Sequence, residues 1–303
     1  MSENNKVFSA EDKKQYAEKK KAELSSAYTL INDTIEKIFT KDENPKEVVK
    51  LLDIFSKFSN LGMTNSLLIY AQYPLAKDIQ KASYWNDHNY FPKKGQKSFA
   101  LIERGAEYTK NDGTKGYARN IVKYFDVSQT NAPEHIADIK NYNSHALIKA
   151  LLLSCPISYK SYDESMANSE DTKLDDNIIA KYYPQSREIV IRKNLSHEVF
   201  FAHFSIALAM SMLDRGKDFV SKERMYKFDA TCIAYLLCKK YNIDTSIFDF
   251  DDIPSEYMSY DTTTLKKKLY EIVDVNKSIN EKMYKSLKTV TKQYQETIDN
   301  ARS

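Results

Sequence analysis

One pair of histidines lies close to the spacing that a zinc peptidase uses. His197 and Glu198 are followed by His203, whereas the HExxH motif places two histidine ligands four residues apart, with the glutamate as general base. A separation of six residues turns the second ring about 240° around a helix. The two side chains therefore point to different faces, and the sequence predicts no metal here. His197 is expected to be an exposed first-turn residue and His203 a partly buried, hydrogen-bonded one.

Other catalytic signatures are missing from the sequence. It contains no GxGxxG, GxxxxGK[ST] or GxSxG motif, and only six glycines, so we expect no nucleotide-cradling loop, no nucleophile elbow and no cofactor. The acids around Phe250, which are Asp249, Asp251 and Asp252, could bind a cation but are better explained as a solvated capping loop. A hydrolase with an unrecognised site remains a third hypothesis, after the two binding roles given below.

The three cysteines also lack a chemical motif. Cys155, Cys232 and Cys238 form no CxxC pair, as in proteins of a reducing compartment. Cys232 and Cys238 lie in an apolar run and are predicted to be buried, because free cysteine is among the most buried residue types.

Aromatic and basic residues are interleaved in the first half of the chain. Residues 77–124 contain ten lysines and arginines against five acids, a local charge of +5, although the whole chain carries only +3. Single-stranded nucleic acid is bound by this combination, since bases stack on aromatic rings while cations contact phosphates. The alternative is that most of these aromatics fill the core. The aromatics are Tyr70, Tyr73, Tyr84, Trp85, Tyr90, Phe91, Tyr108, Tyr117, Tyr124 and Phe125.

Hydrophobic periodicity predicts an α+β first domain over residues 1–130. Helices are expected at 11–40, 46–58 and 64–72, followed by a short helical or looped region at 75–89. Two strands are expected, at 98–102 and at 117–125, with a hairpin turn at Asn111-Asp112-Gly113 between them.

The second domain, residues 140–303, is predicted to be mostly helical. A polar linker (131–143) and an exposed loop (160–178) interrupt it, and one strand is expected at 187–192. Helices are expected at 144–153, 196–214 and 222–240, and a long amphipathic helix at 263–298. Its apolar residues pack on its own domain or, as the alternative, form a coiled-coil seam for self-association.

Composition limits the location of the protein. Apolar residues make up 42% of the chain, and no run approaches the roughly 18 apolar residues that a membrane span needs. The N-terminal stretch has no apolar core and no cleavage site, unlike a signal peptide. We therefore expect a cytoplasmic protein that does not interact with membranes.

Several segments of residues 58–130 resemble one family of mobile-element proteins. The matching pieces, in order, are 65–74 (NSLLIYAQYP), 82–85 (ASYW), 93–97 (KKGQK) and 124–130 (YFDVSQT). They are similar to the N-terminal domain of the ArdC antirestriction family and the LtrC-like proteins. This resemblance implies a single-stranded-DNA-binding domain encoded by a plasmid or integrative conjugative element.

The second half resembles the zincin-like metallopeptidase domain of the same family. Residues 182–191 resemble the strand before the active helix, 196–213 that helix, and 227–245 the helix that carries the third ligand. Aligned on these flanks, the histidine ligand positions fall on Ile206 and Met210, the catalytic glutamate on Ala207 and the third ligand on Thr231. The resemblance therefore implies a degenerate, catalytically inactive peptidase domain without a metal.

The favoured hypothesis is a single-stranded-DNA-binding accessory protein of a conjugative element. The alternative is a protein-interaction or antirestriction adaptor in the DNA-transfer machinery, with a relaxase or another conjugation protein as partner. The residues predicted to contact DNA are Asn65, Tyr70, Lys81, Tyr84, Trp85, Lys93, Lys94, Lys97, Tyr117, Arg119, Lys123 and Gln129.

Overall fold

The computed structural model describes residues 9–41, 44–133, 142–163, 174–216, 219–250 and 252–302. The start of the N-terminal stretch, most of the predicted linker at 131–143, the centre of the predicted loop at 160–178, and Asp251 lie outside the described residues. The fold is mixed α+β, with helices and two three-stranded sheets. The helices are α1 (Ala10–Glu36), α2 (Pro45–Lys57), α3 (Gly62–Gln72), α4 (Ala82–Asp87), α5 (Ser144–Ser154), α6 (His197–Leu213), α7 (Glu223–Lys240), α8 (Ser255–Met258) and α9 (Thr262–Arg302).

The described chain divides into two compact units. The first contains residues 9–38 and 57–133, and the second contains the described parts of 39–56 and 142–302. Most of α2 thus belongs to the second unit, whereas the sequence placed it in the first. In the second unit, the Asp53 carboxylate of α2 accepts the Tyr235 hydroxyl at 2.8 Å and pairs with Lys239 Nζ at 2.9 Å.

The first unit packs α1, α3 and α4 with an antiparallel sheet in the strand order β1-β3-β2. A capping box between Ser9 and Asp12 starts α1, and its apolar residues Ile31 and Ile35 are buried. The strands are β1 (Ile79–Lys81), β2 (Phe99–Thr109) and β3 (Lys115–Asp126). The predicted hairpin is confirmed, and Gly113 in its turn has a φ of 80°, a value that glycine adopts without strain.

One buried carboxylate fixes the base of this sheet. Asp126, at the end of β3, is 0% exposed. Its Oδ2 accepts backbone N–H groups of Lys77 at 2.6 Å and Asp78 at 3.0 Å, and its Oδ1 accepts the Ser128 N–H at 3.0 Å. These bonds tie the segment before β1 to the turn after β3. The sequence does not indicate β1, because a strand of three residues is too short to show an alternating pattern.

The second unit contains the sheet β4-β6-β5 and the helices α5 to α9, together with most of α2. Its strands are β4 (Ser158–Tyr162), β5 (Ala180–Tyr183) and β6 (Glu188–Arg192), of which β4 and β6 are parallel. The sequence did not predict β4, whose residues are almost all exposed. The predicted burial of Cys232 and Cys238 is confirmed.

The apolar positions of α9 pack within the second unit. They are buried through Val290, so the intramolecular interpretation of the amphipathic pattern is confirmed over that length. A coiled-coil seam would need the same residues. The buried positions of α9 are Leu265, Leu269, Ile272, Val275, Ile279, Met283, Leu287 and Val290.

None of the helices in the described part of the chain is long and apolar enough to cross a membrane.

A buried ion pair joins three helices of the second unit. Asp229 of α7 accepts a hydrogen bond from the Tyr257 hydroxyl of α8 and pairs with Lys268 Nζ of α9 at 3.2 Å. Its side chain is 1% exposed. Burial raises the pKa of Asp229 to about 6, although Lys268 and the Tyr257 hydroxyl both act to lower it.

Candidate nucleic-acid interface

The β2–β3 hairpin displays cations on one face. Successive side chains of a strand alternate between faces, so Tyr117, Arg119 and Lys123 of β3 share one face. The register places Arg104 directly opposite Arg119, and therefore on the same face. All four residues are exposed. We call the surface formed by Arg104, Tyr117, Arg119 and Lys123 the basic face.

The centre of the basic face is an arginine stacked on a tyrosine. The guanidinium carbon of Arg104 lies 3.1 Å from the centroid of the Tyr117 ring. The Tyr117 hydroxyl donates to Glu107 Oε2 at 2.6 Å, and Lys115 Nζ pairs with Glu107 Oε1 at 2.6 Å. The bonds from Lys115 and Tyr117 lower the pKa of Glu107, which keeps this carboxylate ionised. The side chain of Tyr117 is thus held by Arg104 over its ring and by Glu107 at its hydroxyl, and the residue remains 37% exposed.

Two cations of the basic face have no acidic partner in the part of the chain that the structure describes. Within the described residues, the side chains of Arg119 and Lys123 form neither an ion pair nor a hydrogen bond to a protein group. Both are exposed. Cations of this kind are available to the phosphates of a nucleic acid.

On the opposite face of the sheet, a lysine forms an ion pair with a glutamate. Lys81 Nζ pairs with Glu103 Oε2 at 2.8 Å, and the other Glu103 oxygen accepts the Tyr124 hydroxyl. Burial acts to raise the pKa of Glu103, but the bonds from Lys81 and Tyr124 outweigh it and lower the value. Lys81, predicted as a DNA contact, therefore lies away from the basic face with its charge already paired.

The lysine loop, residues 93–97, lies at the base of the hairpin. It is anchored to the turn after β3, since Lys93 N donates to the Gln129 carbonyl at 2.8 Å and Lys93 Nζ to the Ser128 carbonyl at 2.9 Å. The side chains of Lys93, Lys94 and Lys97 are exposed. The loop thus presents three ammonium groups on a backbone fixed at one end of the sheet.

Only part of the predicted aromatic set is accessible. Tyr84 is 41% exposed, and its ring lies 4.2 Å from that of His88. Trp85 is 3% exposed and donates its indole N–H to the Phe125 carbonyl at 3.1 Å, while Tyr70 is 8% exposed. Trp85 and Tyr70 are core residues, which corrects their prediction as DNA contacts: neither ring offers a face on which a base could stack.

Two predicted polar contacts also have a role inside the fold. The amide of Asn65 bonds both backbone groups of Ile102. Gln129 is 4% exposed, accepts the Asp126 N–H at 2.9 Å and donates to the Lys97 carbonyl at 3.0 Å. Both amides form hydrogen bonds to buried or edge backbone groups. Their role is therefore structural, which corrects the prediction that they position DNA.

Arg104 of the basic face, and Lys115 beside it, are not among the residues that the sequence predicts to contact DNA. Counting outward from the Asn111-Asp112-Gly113 turn could have paired the strands. A register shift between Arg104 and Glu107 offsets that count, and nothing in the residue types announces it. A count that ignores the shift pairs Arg104 with Asn120 instead of Arg119.

The positions on which the resemblance places the family's metal ligands and catalytic glutamate lie on α6 and α7. Ala207 is 2% and Met210 7% exposed, Ile206 is partly buried, and Thr231 bonds the Lys227 carbonyl of its own helix at 2.8 Å. The described residues contain no group of three or more His, Cys, Asp or Glu side chains that could hold a metal.

The two histidines of α6 differ in their surroundings. His197 is only partly exposed, because its ring packs edge-on against His145 at 4.4 Å, which corrects its prediction as an exposed residue. Burial and the nearby charge of Lys227 lower the pKa of His203.

Comparisons with known proteins give a fold likeness and no sequence match. No family model matches the chain, and no curated protein matches it. Among solved structures, it is similar to the antirestriction protein ArdC from the R388 plasmid, in both its metal-free and its Mn(II)-bound crystal structures. Each match has a TM-score of 0.48 and 14% identity over 73% of this chain. It covers 85% of the metal-free and 84% of the Mn(II)-bound ArdC chain.

Proposed function

We propose that the first unit binds single-stranded DNA through its basic face and lysine loop. The observation that carries the proposal is that Arg119 and Lys123, both exposed and without an acidic partner in the described chain, share a strand face with the Arg104–Tyr117 stack. Phosphates bind to such cations with a strength that depends on salt, because counterions are released.

The exposed tyrosines favour a single strand over a duplex. Tyr117 and Tyr84 are 37% and 41% exposed, and a ring can stack only on a base that is not already stacked between its neighbours in a duplex. Stacking on one aromatic residue contributes roughly 1–3 kcal/mol per base. The sites proposed for DNA are therefore Lys93, Lys94, Lys97, Arg104, Tyr117, Arg119, Lys123 and Tyr84.

A binding titration tests this function. A mixed-sequence oligonucleotide with an internal fluorophore is titrated with the protein as a single strand and as a duplex, at low and at moderate salt. The single strand should bind more tightly, and its affinity should fall steeply with salt. Equal affinity for the duplex, or no binding to either form at low salt, would contradict the proposal.

We further propose that the protein is a non-catalytic accessory factor of a conjugative element. Apolar side chains at Ile206, Ala207 and Met210 support the absence of peptidase chemistry, since they provide no ligand for zinc. Elemental analysis of the purified protein tests this part. Zinc bound in a one-to-one ratio would contradict it, whatever the outcome of the DNA titration.

A further inference from the structure

The basic face contains two arginines that oppose each other directly. Arg104 and Arg119 are partners across the β2–β3 ladder, where Cβ atoms lie about 4.5–5.5 Å apart and like charges repel. Neither guanidinium donates a hydrogen bond to a carboxylate in the described part of the chain. An anion bound between them would replace this repulsion by two attractive contacts.

The stacking of Arg104 leaves its hydrogen-bond donors available. A guanidinium is planar and carries its five N–H groups in that plane, and Arg104 uses its flat face against Tyr117. The ring in turn is held by the Tyr117–Glu107 hydrogen bond. Arg104 is therefore oriented in advance, and its donors can form the bidentate bonds that phosphate oxygens accept.

The local charge matches a dianion better than a monoanion. Arg104, Arg119 and Lys115 contribute three positive charges and Glu107 one negative charge, leaving +2 around the opposed pair. An internal phosphodiester of DNA carries one negative charge, whereas a phosphomonoester carries about −1.5 to −2 at pH 7. The terminal group of a phosphorylated strand would thus neutralise the cluster.

We propose that Arg104 and Arg119 form a binding site for the terminal phosphomonoester of a DNA single strand. The inference rests on the proposed single-strand binding and deepens it: the protein recognises a phosphorylated strand end as well as the strand. Lys123, four residues along β3 from Arg119 and on the same face, contacts an internal phosphate and contributes equally with or without a terminal phosphate.

The test compares one oligonucleotide in three forms, with a 5′-phosphate, with a 3′-phosphate, and with hydroxyls at both ends, each labelled on an internal thymine. One phosphorylated form should bind about tenfold more tightly than the unphosphorylated strand, as charge-assisted hydrogen bonds predict. Binding that is equal for all three forms overturns the end site and leaves single-strand binding intact. Absence of binding for all three overturns both. Inorganic phosphate that binds as tightly as the phosphorylated strand would also overturn the end site, because the two arginines would then recognise the free ion and not the end of a strand.

Two variants separate the end site from general charge. Arg104→Gln with Arg119→Gln should abolish the preference for the phosphorylated end, whereas Lys123→Gln should weaken all three forms and keep their ratio. Because these side chains are exposed, both variants should fold like the wild type, and thermal melting checks this. A preserved preference in the arginine variant overturns the proposal.

The pH dependence supplies a further readout. The second ionisation of a phosphomonoester has a pKa of about 6, and arginine stays protonated. The preference should therefore shrink between pH 7.5 and pH 5.5. A preference that is unchanged over this range overturns the dianion argument.

Discussion

The side chain of Asn65 bonds both backbone groups of Ile102: Nδ2 donates to the carbonyl and Oδ1 accepts the N–H, each at 2.9 Å. Two turns along α3, Gln72 forms the same pair of bonds with Ala100. Because β2 is an edge strand of its sheet, the two amides take the place of a neighbouring strand. Covering an edge in this way opposes pairing with another chain.

Asn65→Ala should therefore destabilise the first unit by about 1–3 kcal/mol, since it leaves two backbone groups of Ile102 without partners. Chemical denaturation followed by the fluorescence of the single tryptophan measures this. Asn86→Ala, which removes an exposed amide on α4, is the matched control and should change stability little. An Asn65 variant as stable as the Asn86 variant would show that the edge cover contributes nothing.

Trp85→Ala should unfold or strongly destabilise the first unit, by about 3–5 kcal/mol, because the substitution leaves a cavity in the core. Trp85→Phe keeps most of the ring volume and loses only the bond to the Phe125 carbonyl, so it should retain DNA binding. The comparison is made by melting and by titration. A Phe variant that folds normally but no longer binds DNA would indicate that the indole contacts the ligand directly.

The stability of the second unit should respond to the ionisation of Asp229. Its pKa in the folded protein is raised to about 6 from 3.8, so the folded state binds the proton more tightly than the unfolded state. This contribution to stability is present at acid pH and is lost as pH rises from about 4 through 6. It amounts to about 3 kcal/mol for a shift of this size.

Asp229→Asn removes that titration. The difference in unfolding free energy between wild type and variant should move against the wild type between pH 4.5 and pH 7, and stay constant above pH 7. Denaturation at several pH values measures the difference, which cancels the titration of other carboxyl groups. A constant difference across the range would contradict the raised pKa.

The elements with strong periodicity were predictable, and the placement of individual side chains was not. The amphipathic helix α9 follows from its periodicity, and the turn at Asn111-Asp112-Gly113 follows from its residue types. Whether an aromatic such as Trp85 or Tyr117 lies inside or outside depends on the face that each element turns to the core, which tertiary packing decides. The sequence predicts Arg119, Lys123 and Lys81 alike as DNA contacts, and nothing in it indicates that Lys81 lies on the other face of the sheet and pairs with Glu103.

The most direct measurement of the central claim is the salt dependence of single-strand binding by Arg119→Gln/Lys123→Gln. Removing two phosphate contacts should lower the affinity and reduce the slope of log K against log salt by about 1.4, at roughly 0.7 per contact for a single strand. The control, Lys149→Gln/Lys285→Gln, removes two exposed lysines of the second unit and should leave the slope unchanged. Equal slopes for the two double variants would contradict the assignment of DNA binding to the basic face.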